Sequence, residues 1–180
     1  MNVRCFTLLI ILWAGAAFTA TAQEALEPRL SPLRMATYRD AAEGKDLYIK
    51  LTYSAPHTRN RQIFGGIINY GELWRLGANE ATELTTTQPI NINGRKLKAG
   101  TYSVFAIPEP NAWTIIINKD LGLWGSDMYD QKQDIMRFKV AVSQTNISYE
   151  PFTMTLAPEG KEVLWTTIWG NYKVTIPITY

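Results

Sequence analysis

Apolar residues recur at every second position through most of this chain, and this alternation limits what it can fold into. In residues 47–53 one face of a predicted strand carries Leu47, Ile49, Leu51 and Tyr53. Residues 136–142 and 152–156 repeat the pattern, and residues 113–118 are apolar on both faces, as in a central strand. At most a helical turn is expected near 70–74 or 126–135. The pattern predicts an all-β fold, an antiparallel β-sandwich of about nine or ten strands, with a closed β-barrel as the alternative.

Two dipeptides predict turns with a defined register. Asn93-Gly94 favours a type I′ hairpin, because both residues tolerate positive φ, and it would oppose Ile92 to Arg95 and Ile90 to Leu97. Gly170-Asn171 suits a type II′ turn. That turn would place one apolar set on a single face through the pairs Trp169–Tyr172, Thr167–Val174, Trp165–Ile176 and Val163–Ile178.

The N-terminal segment is typical of a secretory leader. A short basic start with Arg4 precedes an apolar run over 6–18, and Ala20 and Ala22 give the small-x-small pattern of signal peptidase sites. We therefore expect a signal peptide over 1–22, a flexible segment over 23–30 and one β-sandwich domain over 31–180. The mature chain would be soluble, without a transmembrane anchor, and periplasmic or secreted. An uncleaved membrane anchor is the alternative.

Composition excludes several classes of function. The single cysteine, Cys5, lies in the predicted leader, so the mature chain would have no disulfide and no cysteine nucleophile. With one histidine, His57, the chain cannot build a site of two or three histidines, and no metal or cofactor is expected. The 18 Lys and Arg nearly balance the 16 Asp and Glu without forming a basic block, so nucleic acid is not an expected partner.

The densest group of functional residue types lies between 61 and 82. Arg75 offers a planar fork for carboxylate or phosphate, Asn79 both donates and accepts, and Glu80 accepts hydrogen bonds or acts as an acid or base. With the flat surface of Trp74, this set suits a sugar or an organic acid. The alternative is structural: Arg75 would pair with Glu80, Asn79 would take a left-handed turn, and Trp74 would fill the core.

Other aromatic and acidic residues extend this hypothesis. Trp124 and Tyr129 would form a stacking platform for a sugar ring or close one end of the sandwich. If the protein is an enzyme, Glu80 is the candidate catalytic carboxylate. Possible partners of Glu80 in glycoside hydrolysis are Glu72, Glu83, Asp127 and Asp130. Regular strand alternation puts Glu83 and Glu80 on opposite faces and disfavours that pair.

Three segments, 61–82, 99–105 and 113–119, together resemble the bacterial exported family catalogued as domain of unknown function 2911. The resemblance extends over about 31–178, and residues 124–129 also follow the family pattern. Arg61 matches the family, whereas Ala55 stands where the family usually has arginine. The resemblance implies one exported domain with the 74–80 segment as its hallmark, and it implies no substrate or cofactor.

Three functions remain open from the sequence, and whether the protein is an enzyme is undecided. The first is an envelope module that binds a small oxygen-rich ligand, a glycan or a protein through the 74–80 loop. Its candidate ligand-binding residues are Arg61, Trp74, Arg75, Asn79, Glu80, Trp124 and Tyr129. The second is a hydrolase or lyase that uses Glu80 with Arg75 or a distant carboxylate. The third is a structural or assembly protein.

Overall fold

The protein was analysed as a computed structural model that describes residues 29–42, 44 and 46–180. The predicted signal peptide and most of the predicted flexible segment lie outside these residues. The described chain forms nine strands and one short 3₁₀ helix (Gln131–Gln133). The strands are β1 (Leu33–Asp40), β2 (Leu47–Ser54), β3 (Ala78–Thr86), β4 (Ile90–Ile92), β5 (Arg95–Leu97), β6 (Gly100–Pro108), β7 (Ala112–Asn118), β8 (Asp134–Glu159) and β9 (Glu162–Thr179). No helix in this part of the chain is long and apolar enough to cross a membrane.

All strand pairs are antiparallel, in the order β1-β2-β3-β6-β7-β8-β9-β4-β5. Strand β8 is 26 residues long and belongs to two layers. Its first part pairs with β7, and its later part pairs with β9. The sheet does not close into a barrel, since β1 and β5 remain at its edges. The all-β sandwich prediction is therefore confirmed.

The main core lies between the two layers and is rich in aromatic rings. Leu47, Ile49, Leu51 and Tyr53 of β2 are all buried, as their alternation predicts. Phe64, from the loop after β2, packs on Trp113 of β7 with ring centroids 4.8 Å apart. Trp74 stacks on Trp169 of β9 at 6.0 Å. The 61–74 loop is thus anchored in the core by its own aromatic residues.

A second, smaller cluster covers the outer face of the first layer. It consists of Ala81, Phe105, Ile116 and Leu123, with Leu73, Ile107 and Tyr129 packed against it. Leu123 and Tyr129 belong to the 119–133 connection, which folds back across β6 and β7. Gly122 and Leu123 of this connection also line a depression on the outer face of the sheet.

The hairpin at Asn93-Gly94 is confirmed. Ile90 pairs with Leu97 and Ile92 with Arg95, and the two turn residues have φ of 47° and 73°. Both values lie in the left-handed region that a type I′ turn requires.

The predicted hairpin at Gly170-Asn171 is wrong. Strand β9 runs unbroken through both residues, and its partner is β8, joined by a two-residue turn at Gly160 and Lys161. Seven of the eight predicted core residues are buried and Tyr172 packs against them, so their inward direction was correct although their pairing was not. The buried residues of β9 have odd numbers before Gly170 (φ 58°) and even numbers after it. This change lies opposite two register irregularities in β8. The alternation of buried and exposed residues can shift by one position either at a hairpin turn or at a β-bulge, and here the cause is a β-bulge.

Candidate functional site

The segment between Trp74 and Asn79 is held in one conformation by its own hydrogen bonds. Trp74 Nε1 donates to the Gly77 carbonyl at 2.9 Å, and Thr82 Oγ1 donates to the Leu76 carbonyl at 2.6 Å. Leu76 (φ 52°) and Asn79 (φ 57°) both adopt left-handed backbone. For the buried Leu76 this costs about 1–2 kcal/mol. Non-glycine strain of this kind occurs most often at functional sites.

This segment forms the wall of a depression at the rim of the sandwich, which we call the arginine cleft. The cleft has a volume of 280 Å³. It is lined by Pro56, Arg61, Ile67, Ile68, Trp74, Arg75, Gly77, Ala78, Asn79 and Trp169. The structure therefore brings together four of the seven sequence-predicted site residues. Trp74 is only 4% exposed, so it serves as the floor of the cleft and as part of the core.

Both arginines of the cleft are held by backbone carbonyls. Arg61 donates from Nε to the Thr58 carbonyl at 3.0 Å and from Nη2 to the His57 carbonyl at 3.1 Å. Arg75 donates from Nη1 to the Asn79 carbonyl at 3.2 Å. Within the described part of the chain, neither guanidinium has a carboxylate at ion-pair distance. The arginines are therefore fixed in place while most of their charge remains uncompensated.

Glu80 lies on a different surface from Asn79, although the two are consecutive. It lines a second depression of 390 Å³, which we call the outer groove, on the outer face of β1, β2 and β3. Arg29 Nη1 donates to both Glu80 oxygens, at 2.8 and 3.1 Å, and Ser54 Oγ donates to Oε2 at 3.3 Å. The hydrogen bond from Arg29 holds the pKa of the Glu80 carboxyl below its ordinary value. The partner of Glu80 is thus Arg29 and not Arg75.

Glu83 lines the same groove, and the expectation that strand alternation would separate it from Glu80 is wrong. The β2–β3 register is irregular between Thr52, which faces Glu83, and Ser54, which faces Ala78. The extra residues on β3 break the alternation, so both carboxylates line one surface. Glu83 Oε1 accepts a hydrogen bond from the Gly122 backbone N–H at 3.3 Å.

Trp124 is positioned next to Glu80 by backbone pairing. The two form an isolated antiparallel bridge, with Ala81 N donating to Leu123 O and Gly125 N donating to Asn79 O, both at 2.9 Å. In this arrangement the bridged residues are a non-hydrogen-bonded pair, whose side chains stand close together on one face. The Trp124 side chain is 57% exposed. An exposed indole therefore stands beside the Glu80 carboxylate at the edge of the groove.

Tyr129 is separate from both depressions. Its ring packs on Phe105, and its hydroxyl donates to Asp134 Oδ2 at 2.7 Å and accepts from Arg137. Burial, reinforced by Asp134, raises the pKa of Tyr129 to about 12. Asp134 also accepts from Asn118 Nδ2 at 2.9 Å. These bonds join the 119–133 connection to the sheet and do not place Tyr129 beside Trp124.

The remaining sequence candidates, Glu72, Asp127 and Asp130, are not among the residues that line the groove with Glu80. Glu72 accepts from Asn69 at 2.9 Å in a small depression next to the arginine cleft, and Asp130 accepts from Lys132 N at the start of the 3₁₀ helix. His57 forms a bridge with Pro151 through its backbone. Among the described residues no group of three or more His, Cys, Asp and Glu is arranged to hold a metal ion.

Sequence reasoning missed Arg29 and Ser54. Arg29 lies in the predicted flexible segment and Ser54 directly follows the predicted strand over 47–53, and both approach Glu80 from outside the 61–82 segment. No local pattern marks such contacts, because Arg29 and Glu80 are 51 positions apart.

The described residues form an all-β sandwich with two small depressions at its rim. A family described as a protein of unknown function (DUF2911) matches residues 31–178, and the chain belongs to that family. Neither the comparison with curated proteins nor that with solved structures gives a match.

Proposed function

We propose that this protein is an exported binding module that takes a small anionic, oxygen-rich ligand, such as an organic acid, in the arginine cleft. The observation that supports the proposal best is the charge of the lining. Arg61 and Arg75 are its two ionisable side chains, and no acidic residue is among the lining residues. Two guanidinium groups facing one small depression favour a carboxylate or phosphate.

The other lining residues fit the same ligand. Ile67, Ile68 and Trp169 give an apolar surface for the carbon skeleton, whereas Asn79 adds a polar contact. Pockets of this mixed composition, in which a few polar groups set the orientation, are typical of small-molecule sites. The backbone hydrogen bonds of the arginines reduce the ordering cost of binding.

Isothermal titration calorimetry of the mature protein against acetate, succinate, citrate and inorganic phosphate tests the proposal. We expect at least one of them to bind, and more weakly at high salt because the attraction is electrostatic. Arg75→Ala should weaken binding by about tenfold or more, since a hydrogen bond to a charged group contributes about 1.5–3 kcal/mol. Arg75→Lys should recover only part of the affinity, because an ammonium lacks the planar fork.

Arg95→Ala is the matched control, since it removes an exposed arginine from β5, outside the cleft. Its affinity should equal that of the wild type. Absence of binding by every probe would refute the proposal, and so would an equal loss in Arg75→Ala and Arg95→Ala.

A further inference from the structure

The outer groove is not used by the proposed anion site. It shares no lining residue with the arginine cleft, and its charged residues are Arg29, Glu80 and Glu83. Two carboxylates against one guanidinium make it the more acidic of the two surfaces. Its volume of 390 Å³ is also the larger.

Trp124 does not line the groove, but its bridge with Glu80 places an aromatic ring at the edge of it. Of the tryptophans that the structure describes, Trp124 alone is exposed, at 57%, whereas the others are at most 4% exposed. An exposed indole is costly to hydrate and is available for stacking. The bridge to Glu80 sets its position, with Leu123 and Gly122 of the same connection lining the groove.

The carboxylates are held so that they accept hydrogen bonds. Glu80 is oriented by Arg29 and by the buried Ser54 hydroxyl, while Glu83 is fixed by the Gly122 N–H. Each carboxylate has about four lone-pair positions, more than these bonds use. The remaining positions can accept from ligand hydroxyl or amino groups.

We propose that the outer groove binds a pyranose ring of a neutral or amino saccharide. The apolar face of the ring stacks on Trp124, and its hydroxyl groups donate to Glu80 and Glu83. Aromatic faces favour contact with polarised C–H groups. Acidic saccharides are excluded by repulsion from the two carboxylates. The ion pair with Arg29 keeps Glu80 ionised, which suits Glu80 to accept hydrogen bonds from the saccharide and not to act as a general acid.

Tryptophan fluorescence is a direct test, because acrylamide reaches exposed indoles far more readily than buried ones. In the mature protein, quenching should report mainly on Trp124. The probes are hexasaccharides of cellulose, xylan and mannan for neutral ligands, chitosan oligomers for amino sugars and polygalacturonate oligomers for acidic ones. We expect a neutral or amino probe to reduce quenching at least twofold, with no effect of polygalacturonate.

Variants locate the effect. Trp124→Ala should remove the fluorescence that acrylamide quenches. Calorimetry should show that this variant binds the saccharide about tenfold more weakly, as expected for the loss of a stacking contact. Glu80→Gln should keep the signal and weaken binding. Met128→Ala, which changes another exposed residue of the 119–133 connection, should bind as the wild type does. Melting curves of each variant establish that the domain is folded.

Three results would overturn the proposal. The first is unchanged quenching with every neutral and amino probe. The second is protection by polygalacturonate alone. The third is binding that survives in both Trp124→Ala and Glu80→Gln. Arg61→Ala, which alters the arginine cleft and lies outside the segment bridged to Trp124, should leave saccharide binding intact, so failure of this site and failure of the arginine cleft are distinguishable.

Discussion

The arginine cleft and the outer groove are two sides of one segment with opposite charge. Asn79 lines the cleft beside Arg61 and Arg75, whereas Glu80 lines the groove beside Glu83. Residues adjacent in sequence thus line different surfaces, at the point where the left-handed backbone of Asn79 (φ 57°) interrupts the regular strand. Arg75 and Glu80 therefore do not neutralise each other. Each surface keeps a charge that a ligand can use.

The two surfaces also differ in what supports them. The cleft rests on Trp74 and Trp169, which belong to the main core, whereas the groove is bordered by the exposed Trp124. A substitution in the floor of the arginine cleft should therefore lower the stability of the whole fold, whereas a substitution at the edge of the outer groove should not. Substitutions on the two sides should separate these properties.

The largest effect is expected from Trp74→Ala. Trp74 contacts Phe64, Trp113, Phe152 and Trp169, and its removal leaves a large cavity. We expect a loss of about 3–5 kcal/mol of unfolding free energy. Trp124→Ala, the matched substitution at the groove, should cost no more than about 0.5 kcal/mol. Urea denaturation of both variants measures the difference, and equal losses would contradict the division between a core-supported cleft and a surface groove.

Gly77→Ala should have the next largest effect, because Gly77 joins the two surfaces. A Cβ at this position would meet the backbone oxygen of Ser54 at 2.9 Å, and Ser54 lines the groove. Since a backbone oxygen cannot rotate away, we expect destabilisation of about 1–3 kcal/mol. Gly122→Ala is the control: nothing lies within 4 Å of its Cβ, and only its φ of 67° is strained. A smaller loss of stability in Gly77→Ala than in Gly122→Ala would show that the backbone at Gly77 and Ser54 can move apart to accommodate a methyl group.

The two hairpin predictions show what local pattern can and cannot specify. Asn93-Gly94 was read correctly because the conformation of a type I′ turn depends on its own two residues. At Gly170 the change of phase was visible in the sequence, but its cause was a bulge opposite β8. Choosing between turn and bulge requires knowing the partner strand, which lies far away in sequence. The inward faces of β2 and β9 could be predicted, since they depend only on alternation.

The candidate site was predictable to a similar degree. Arg61, Trp74, Arg75 and Asn79 do meet in one cleft, and residue chemistry within a single segment indicated them. Glu80 was placed with them because sequence proximity does not show on which side of a strand a residue lies. Its contact with Arg29 and its shared surface with Glu83 follow from tertiary pairing and a β-bulge. Tyr129 was grouped with Trp124 as a second aromatic residue of the same loop, whereas in the fold its hydroxyl donates to Asp134.

A smaller effect is expected at Asn79, where the segment passes from the cleft to the groove. Asn79 has φ of 57°, and its Nδ2 donates to the Ser31 carbonyl at 3.2 Å. Asn79→Val combines left-handed strain with loss of this bond, and we expect a cost of about 1–2 kcal/mol. Asn79→Gly keeps the backbone conformation and should cost less than about 1 kcal/mol. Thermal denaturation ranks the two, and equal losses would show that the side-chain bond, which both variants lack, determines the stability of this segment more than the left-handed backbone does.

The smallest effect should come from Glu80→Gln. The side chains of Arg29 and Glu80 are 58% and 39% exposed, so solvent screens their ion pair and its contribution at pH 7 is at most about 1 kcal/mol. Because the folded-state pKa of Glu80 lies below its ordinary value of 4.5, this contribution is present above that pH and disappears as the pH falls through the lowered value. The difference in unfolding free energy between wild type and variant should therefore be larger at pH 7 than at pH 3, and it should shrink in 1 M NaCl, where screening is stronger. Glu159→Gln, at the exposed β8–β9 turn, controls for the loss of a carboxylate. A difference that grows on acidification, or a loss of several degrees in Tm at neutral pH, would mean that Glu80 supports the fold and is not mainly available to a ligand in the groove.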